Sequence, residues 1–255
     1  QISEGPLMAR REKYPPEPVP EEITLITAGV DVQADRLEVE FVGWGAGEES
    51  WSLNYHRIPG DPSVQDVWRE LDQLLGGRWK HPEGYRLPVA ATCVDSGYLT
   101  QQVYKFCKPR QNARVWAIKG VSGTDRPIMD RPHRKTRKKV PLYPVGVDSA
   151  KMAIYQRLQI EEPGDGYCHF PRRDPYDEEY FRQLTSEKLV RKTDRRGYPK
   201  LQWVRRPNRR AEALDVRVYA LAALEGLLAA CVKLDRTHRQ RKRGRRRVRS
   251  KVIDG

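Results

Sequence analysis

The sequence predicts an α/β domain with a mixed sheet, in which a three-strand antiparallel meander is extended by parallel strands and flanked by helices. Three observations lead there. Residues 23–55 hold three apolar or alternating runs separated by very short polar joins. Residues 64–118 then switch to helix–strand alternation, and a long Ala/Leu-rich stretch at 210–232 closes the pattern. Strands joined within a few residues must pair antiparallel, whereas strands separated by helices return parallel.

The elements follow in order. Residues 1–22 are rich in Pro and Glu (Tyr14-Pro15-Pro16-Glu17-Pro18) and show no periodicity, so they read as an arm or linker. Residues 23–30 are almost continuously apolar, as expected of a buried central strand. Leu37-Glu38-Val39-Glu40-Phe41 and Trp51-Ser52-Leu53-Asn54-Tyr55 alternate strictly and read as half-exposed strands. Between them, Gln33-Ala34-Asp35-Arg36 and Gly45-Ala46-Gly47-Glu48-Glu49 are turn material. A helix is expected over 64–75, a buried strand over 88–94, a helix over 100–107 and a strand over 114–118. Residues 121–140 form a basic loop or hairpin, and 148–159 a helix that Asp148 or Ser149 is placed to cap. A short helix at 176–184 precedes a hairpin formed by 187–194 and 200–204. The domain is expected to end near residue 232, with 233–255 a disordered basic tail.

At 255 residues the chain is long enough to bury a proper core. It begins with Gln1, which reads as a fragment or processed product. No apolar run reaches the length of a membrane span, and no signal peptide opens the chain. The four cysteines stand far apart with no C-x-x-C pair, which argues against a disulfide scaffold or a zinc knuckle. Much of the net charge of +14 comes from nine basic residues between Arg239 and Lys251, with no acid among them. Such a tail attracts polyanions, nucleic acid first, or simply keeps the protein soluble.

Three acids attract notice. Asp31 follows the most hydrophobic run, and Asp95 follows the apolar run 89–94 and precedes Ser96-Gly97. Carboxylates at the carboxyl ends of central strands face the crevice where an open α/β sheet binds ligands, although Asp also begins turns. Asp215 sits among apolar neighbours on the closing helix, where a carboxylate is costly unless a metal, an arginine or hydrogen bonds compensate it. Arg217 is two residues away and faces elsewhere on a helix; a distant arginine remains an alternative partner. Three such acids form the oxygen cage that Mg²⁺ or Mn²⁺ prefers. Glu212, one turn before Asp215, is either an outer ligand or a surface glutamate.

The order of elements and acids resembles the ribonuclease-H-like nuclease fold. More specifically, Ala28-Gly29-Val30-Asp31-Val32-Gln33, Asp35-Arg36-Leu37-Glu38, Gly43-Trp44-Gly45, Val94-Asp95-Ser96-Gly97, Ala117-Ile118-Lys119-Gly120, Val145-Gly146-Val147-Asp148, His169-Phe170-Pro171, Leu184-Thr185-Ser186-Glu187 and Glu212-Ala213-Leu214-Asp215 are similar to blocks of the large terminase subunits of lambda-like tailed phages. Each block alone is weak, but they recur in order from about residue 25 to 225.

That resemblance implies the nuclease half of a DNA-packaging motor, cutting concatemeric double-stranded viral DNA in the host cytoplasm. Its implied partners are an ATPase domain of the same subunit, the small terminase subunit and the capsid portal. No G-x-x-x-x-G-K-[ST] motif is present, so residues 1–22 would be the link to an absent ATPase half. Two ions roughly 3.5–4 Å apart would serve hydrolysis, with Asp31 bridging and Asp95 and Asp215 each holding one. Lys119, Asp148 and Lys151 are further candidates, with a helix cap the simpler role for Asp148 and a structural role the simpler one for His169. Arg131, Arg134, Lys135, Arg137, Lys138, Lys139, Arg205, Arg206, Arg209 and Arg210 are expected to hold the phosphate backbone without reading sequence. Two other readings compete: a strand-transferring or resolvase-like nuclease of the same fold, and a non-enzymatic basic DNA-binding module whose acids are caps and ion pairs.

Overall fold

The structure is a computed structural model that describes residues 2–123, 125–132, 139–193 and 197–234. In chain order the helices are α1 (Glu4–Ala9), α2 (Asp66–Leu75), α3 (Thr100–Cys107), α4 (Val147–Arg157), α5 (Glu178–Leu184) and α6 (Glu212–Ala229). The strands are β1 (Leu25–Val32), β2 (Arg36–Trp44), β3 (Ser50–Pro59), β4 (Arg78–Lys80), β5 (Arg86–Asp95), β6 (Val115–Val121), β7 (Leu142–Gly146), β8 (Cys168–His169), β9 (Glu187–Thr193) and β10 (Pro199–Arg205).

One large sheet runs in the order β7-β6-β5-β1-β2-β3-β8, with β4 hung on β5, and β9 and β10 form a separate hairpin. β1, β2 and β3 pair antiparallel, as their short joins require. β5 lies parallel to β1, β6 to β5 and β7 to β6. This is the meander-plus-parallel arrangement that the ribonuclease-H-like resemblance implied.

The sheet separates two apolar layers. Ile26, Ala28, Val30 and Val32 of β1 pack with Val67, Trp68 and Leu71 of α2 and with Val103 and Phe106 of α3. The opposite face meets α4, α5 and α6, whose apolar residues form the second layer with Cys93 and Ile118. Helix α6 is rich in Ala and Leu, strong helix formers, and is buried on nearly every side, which explains its near-continuous apolar sequence.

Four expectations need correction or extension. The strands β2 and β3 are not half-exposed, because helices cover both faces. Glu38 and Glu40 are wholly buried and answered by arginines: Arg217 lies 3.4 Å from Glu40, and Arg36 and Arg210 lie 2.6 and 3.0 Å from Glu38. Asp148 does not cap α4, whose cap position is Gly146; its carboxylate instead accepts the Gly123 N–H at 2.7 Å. Residues 2–22 hold helix α1 and lie along the body, with Leu7 and Val19 buried and Arg10 donating to the Ile160 carbonyl at 2.7 Å. Finally, β4, β7 and β8 had no counterpart in the sequence reading, being short and, in β7, interrupted by Pro144.

Candidate metal centre

The site is assembled by the contact of α6 with β1. Thr27, Gly29 and Asp31 share the face of β1 that α6 covers. The Thr27 hydroxyl donates to the Ala220 carbonyl at 2.8 Å. At Gly29 the helix backbone comes so close that an added Cβ would stand 1.9 Å from the Val216 carbonyl oxygen and 2.6 Å from the Ala220 nitrogen. One step of two residues along β1 thus moves four residues back along α6, which matches a rise of about 6.6 Å in a strand and about 6 Å in a helix. The next step, to Asp31, reaches the first turn of α6, where Glu212 and Asp215 stand.

The parallel pairing of β1 and β5 supplies the third acid. Val30 is in register with Val94, so Asp31 and Asp95 follow side by side on adjacent strands, with backbones roughly 5 Å apart. Asp31 is 5% exposed, while Asp95 and Asp215 are half-buried at the mouth. Asp31 therefore ends β1 from inside the strand, one residue short of Val32, and Asp95 is the last residue of β5.

All three carboxyls are pushed toward their protonated forms. Burial raises Asp31 to about 6, with Asp95, Glu38 and Glu212 adding to the rise and the Gln33 amide opposing it. Burial raises Asp215 to about 7, reinforced by Asp31 and Glu187 and opposed by Lys151 and Arg205. Asp95 is raised by burial, against the backbone N–H groups of Gly97 and Ser96 and the charge of Lys119. Among the described residues none of the three forms an ion pair. Glu38, directly across β1–β2 from Asp31, is by contrast surrounded by Arg36, Arg57 and Arg210.

Among the described residues no three His, Cys, Asp or Glu side chains form a closed cage, and the three aspartates couple through their fields instead. The donor set nevertheless suits a hard divalent cation. It offers carboxylate oxygens only, and a cation would relieve the mutual repulsion that raises their pKa values.

The other candidates divide. Lys151 pairs with Glu187 at 2.8 Å and lies within the field of Asp215, as does Arg205. Lys119 acts on Asp95. Glu212 is bound by Arg36 at 3.1 Å and Arg210 at 3.2 Å, which makes it part of the rim holding α6 to β2. Asp148 is tied to Gly123 and is not brought to the three aspartates by any contact described.

Of the expected phosphate-holding residues, Arg131, Lys139, Arg205 and Arg210 are exposed. Arg209 is held by Glu4 at 3.1 Å, and Arg206 reaches the Ile2 carbonyl, so both fasten the arm. Arg134, Lys135, Arg137, Lys138 and the basic tail lie outside the described residues. His169 is structural in its surroundings: its ring stacks on Trp51 and bridges Glu12 and Glu49 at 2.8 Å each.

Sequence reading missed Glu38 and Glu187. Glu38 was within reach, because counting outward from the tight turn Gln33-Ala34-Asp35-Arg36 places it opposite Asp31. Glu187 carried no comparable signal, since only the packing of the β9–β10 hairpin beside α4 brings it near Asp215.

Residues 1–238 match the family described as terminase large subunit gpA, endonuclease domain. The chain belongs to that family. This terminase nuclease domain is 36% identical over 234 residues to the terminase large subunit of Escherichia phage lambda, a match covering 88% of the chain and 36% of the relative. It is 33% identical over 213 residues to that of Enterobacteria phage P21, covering 81% of the chain and 33% of the relative. The chain thus spans about a third of the length of these relatives. Among solved structures, it is similar to the large terminase nuclease of thermophilic phage G20c with bound magnesium (TM-score 0.45, 11% identity, 86% of this chain and 95% of that one). It is also similar to the large terminase nuclease domain of bacteriophage SPP1 with bound Mn (TM-score 0.37, 13% identity, 86% and 91%). Among the described residues no helix is long and apolar enough to cross a membrane.

Proposed function

We propose that this domain is a metal-dependent endonuclease that cuts concatemeric double-stranded viral DNA during genome packaging, by hydrolysing phosphodiester bonds. The observation that carries the proposal is the meeting of Asp31, Asp95 and Asp215 at the carboxyl ends of β1 and β5, with raised pKa values and no arginine to neutralise them.

Asp31 lies between the other two and is the natural shared ligand, with Asp95 and Asp215 each completing one of two cation positions. Bound Mg²⁺ or Mn²⁺ supplies an activated water and stabilisation of the departing 3′ oxygen. The protein holds the carboxylates in place. Gln33 donates to Asp31, the Gly97 N–H donates to Asp95 at 3.1 Å, and the N-terminal end of α6 favours negative charge at Asp215. Lys119 and Lys151 place positive charge beside these acids, where a phosphate would enter. Arg131, Lys139 and Arg205 are exposed to receive the backbone of the duplex without reading bases. Choice of site then rests with partners of the whole motor: the ATPase domain of the same subunit, the small terminase subunit and the capsid portal. Such a motor works in the host cytoplasm.

Nicking of supercoiled plasmid tests the reading, with Mg²⁺, Mn²⁺ or chelator and with Asp31→Asn and Asp215→Asn proteins alongside. The expected result is cutting that needs the metal and vanishes in both variants. Undiminished cutting by the variants would remove the aspartates from the reaction, and metal-independent DNA binding with no cutting would favour a binding module.

A further inference from the structure

Tyr219 lies one turn beyond Asp215 on α6 and is the described tyrosine whose charge environment includes all three aspartates, Asp95 first, then Asp215 and Asp31. Cys93, two residues before Asp95 on the same face of β5, is also beside it. The ring therefore lies over the last turn of β5, between the strand and the helix. Long side chains on a helix lean toward its N-terminus and over the preceding turn, which carries the Tyr219 hydroxyl toward the level of Asp215. The residue is 8% exposed, and its hydroxyl has no hydrogen-bond partner among the described residues.

A buried phenol needs an acceptor, and the acceptors on this side of it are the site carboxylates. Asp31 has the Gln33 amide to fix its carboxyl, whereas the only bonds holding Asp95 come from the backbone N–H groups of Ser96 and Gly97. We infer that Tyr219 is a positioning residue of the metal site, donating its hydroxyl proton in a hydrogen bond to the Asp95 carboxylate and so leaving the second oxygen of that group directed at the cation. This rests on the metal-site reading above. A neutral donor suits the task better than a lysine: it orients the carboxylate without competing with the cation for its charge. Burial and the nearby acids keep the phenol protonated well above its ordinary pKa, so the donor persists at any working pH.

Tyr219→Phe keeps the ring and the packing and removes only the hydroxyl. Groups that orient metal ligands in this way typically contribute roughly 10- to 100-fold to metal affinity or activity. The expected result is Mn²⁺ binding, measured by calorimetry, weakened about 10-fold, with kcat for plasmid nicking lowered by a similar factor and KM for DNA unchanged. The melting temperature without metal should stay within about 2 °C of wild type, since the fold loses no contact. Cys93→Ser, on the same face but without a bond to a ligand, is the control and should leave Mn²⁺ affinity unchanged. Wild-type Mn²⁺ affinity and kcat in Tyr219→Phe would overturn the inference while leaving the aspartate site standing. A wild-type protein that binds no Mn²⁺ would overturn both, and that outcome is read from the wild-type titration alone.

Discussion

Gly29 and Val216 set the distance between helix and sheet: a single methyl group on Gly29 would stand 1.9 Å from the Val216 carbonyl oxygen. The obstacle is backbone, so no side chain can turn aside to make room. Gly29→Ala should therefore cost more than the usual overpacking penalty of about 1–3 kcal/mol, and it should displace the first turn of α6 from Asp31. Urea denaturation checks the first effect. Loss of metal-dependent nicking in whatever protein remains folded checks the second. A variant with wild-type stability would show that α6 does not bear on β1 at this point.

Glu40 and Arg217 form a second, purely structural pair. They lie 3.4 Å apart and are 0% and 3% exposed in their side chains, with Ser52 and Tyr180 completing the bonds to Glu40. Removing one member leaves a buried charge alone, so Arg217→Met should destabilise by about 3–5 kcal/mol. Adding Glu40→Gln to that variant should recover a good part of the loss. Chemical denaturation of the two single variants and the double variant measures the coupling.

Asp31 makes stability depend on pH in a definite direction. Its folded-state value of about 6 lies above its ordinary 3.8, so the native state holds the proton more tightly than the unfolded chain. Its contribution is most favourable below about pH 4 and is lost as the pH rises toward 7, at an eventual cost of about 3 kcal/mol. Asp215, raised to about 7, adds a second loss of the same sign. In metal-free protein, Asp31→Asn should match wild type near pH 4 and exceed it in stability near pH 8, while abolishing activity. Saturating Mg²⁺ should remove most of that difference by stabilising wild type alone. A variant less stable than wild type at pH 8 without metal would contradict the assignment.

Arg205 and Arg209, four residues apart, should respond differently. Arg205 is exposed and lies in the field of Asp215, whereas Arg209 grips Glu4 at 3.1 Å. Arg205→Ala should weaken DNA binding and reduce the slope of log affinity against log salt by about one, with little change in melting temperature. Arg209→Ala should lower the melting temperature and loosen residues 2–12, seen as faster proteolysis, with DNA affinity nearly unchanged. Fluorescence anisotropy at several salt concentrations separates the two.

Much of this architecture was legible before any coordinates. The meander could be read from 23–55 because its joins are too short for any other pairing, and Asp31, Asp95 and Asp215 stood out because each interrupts an apolar run. Burial of Glu38 and Glu40 was not legible. Their alternation with Leu37, Val39 and Phe41 has the same period whether the second face meets water or helices, and the arginines that neutralise them are mostly distant in sequence. Helix α1 was hidden for a similar reason, since only Leu7 is buried in its six residues. β7 and β8 derive their strand character from neighbours rather than from their own composition.

A crystal of this domain soaked in Mn²⁺ tests the central claim most directly, because manganese reports its own position through anomalous scattering. The account predicts a peak within roughly 2.3 Å of carboxylate oxygens of Asp31 and of Asp95 or Asp215, absent from Asp31→Asn crystals. Manganese bound only elsewhere, for instance at Glu12 and Glu49, with the three aspartates bare, would contradict it.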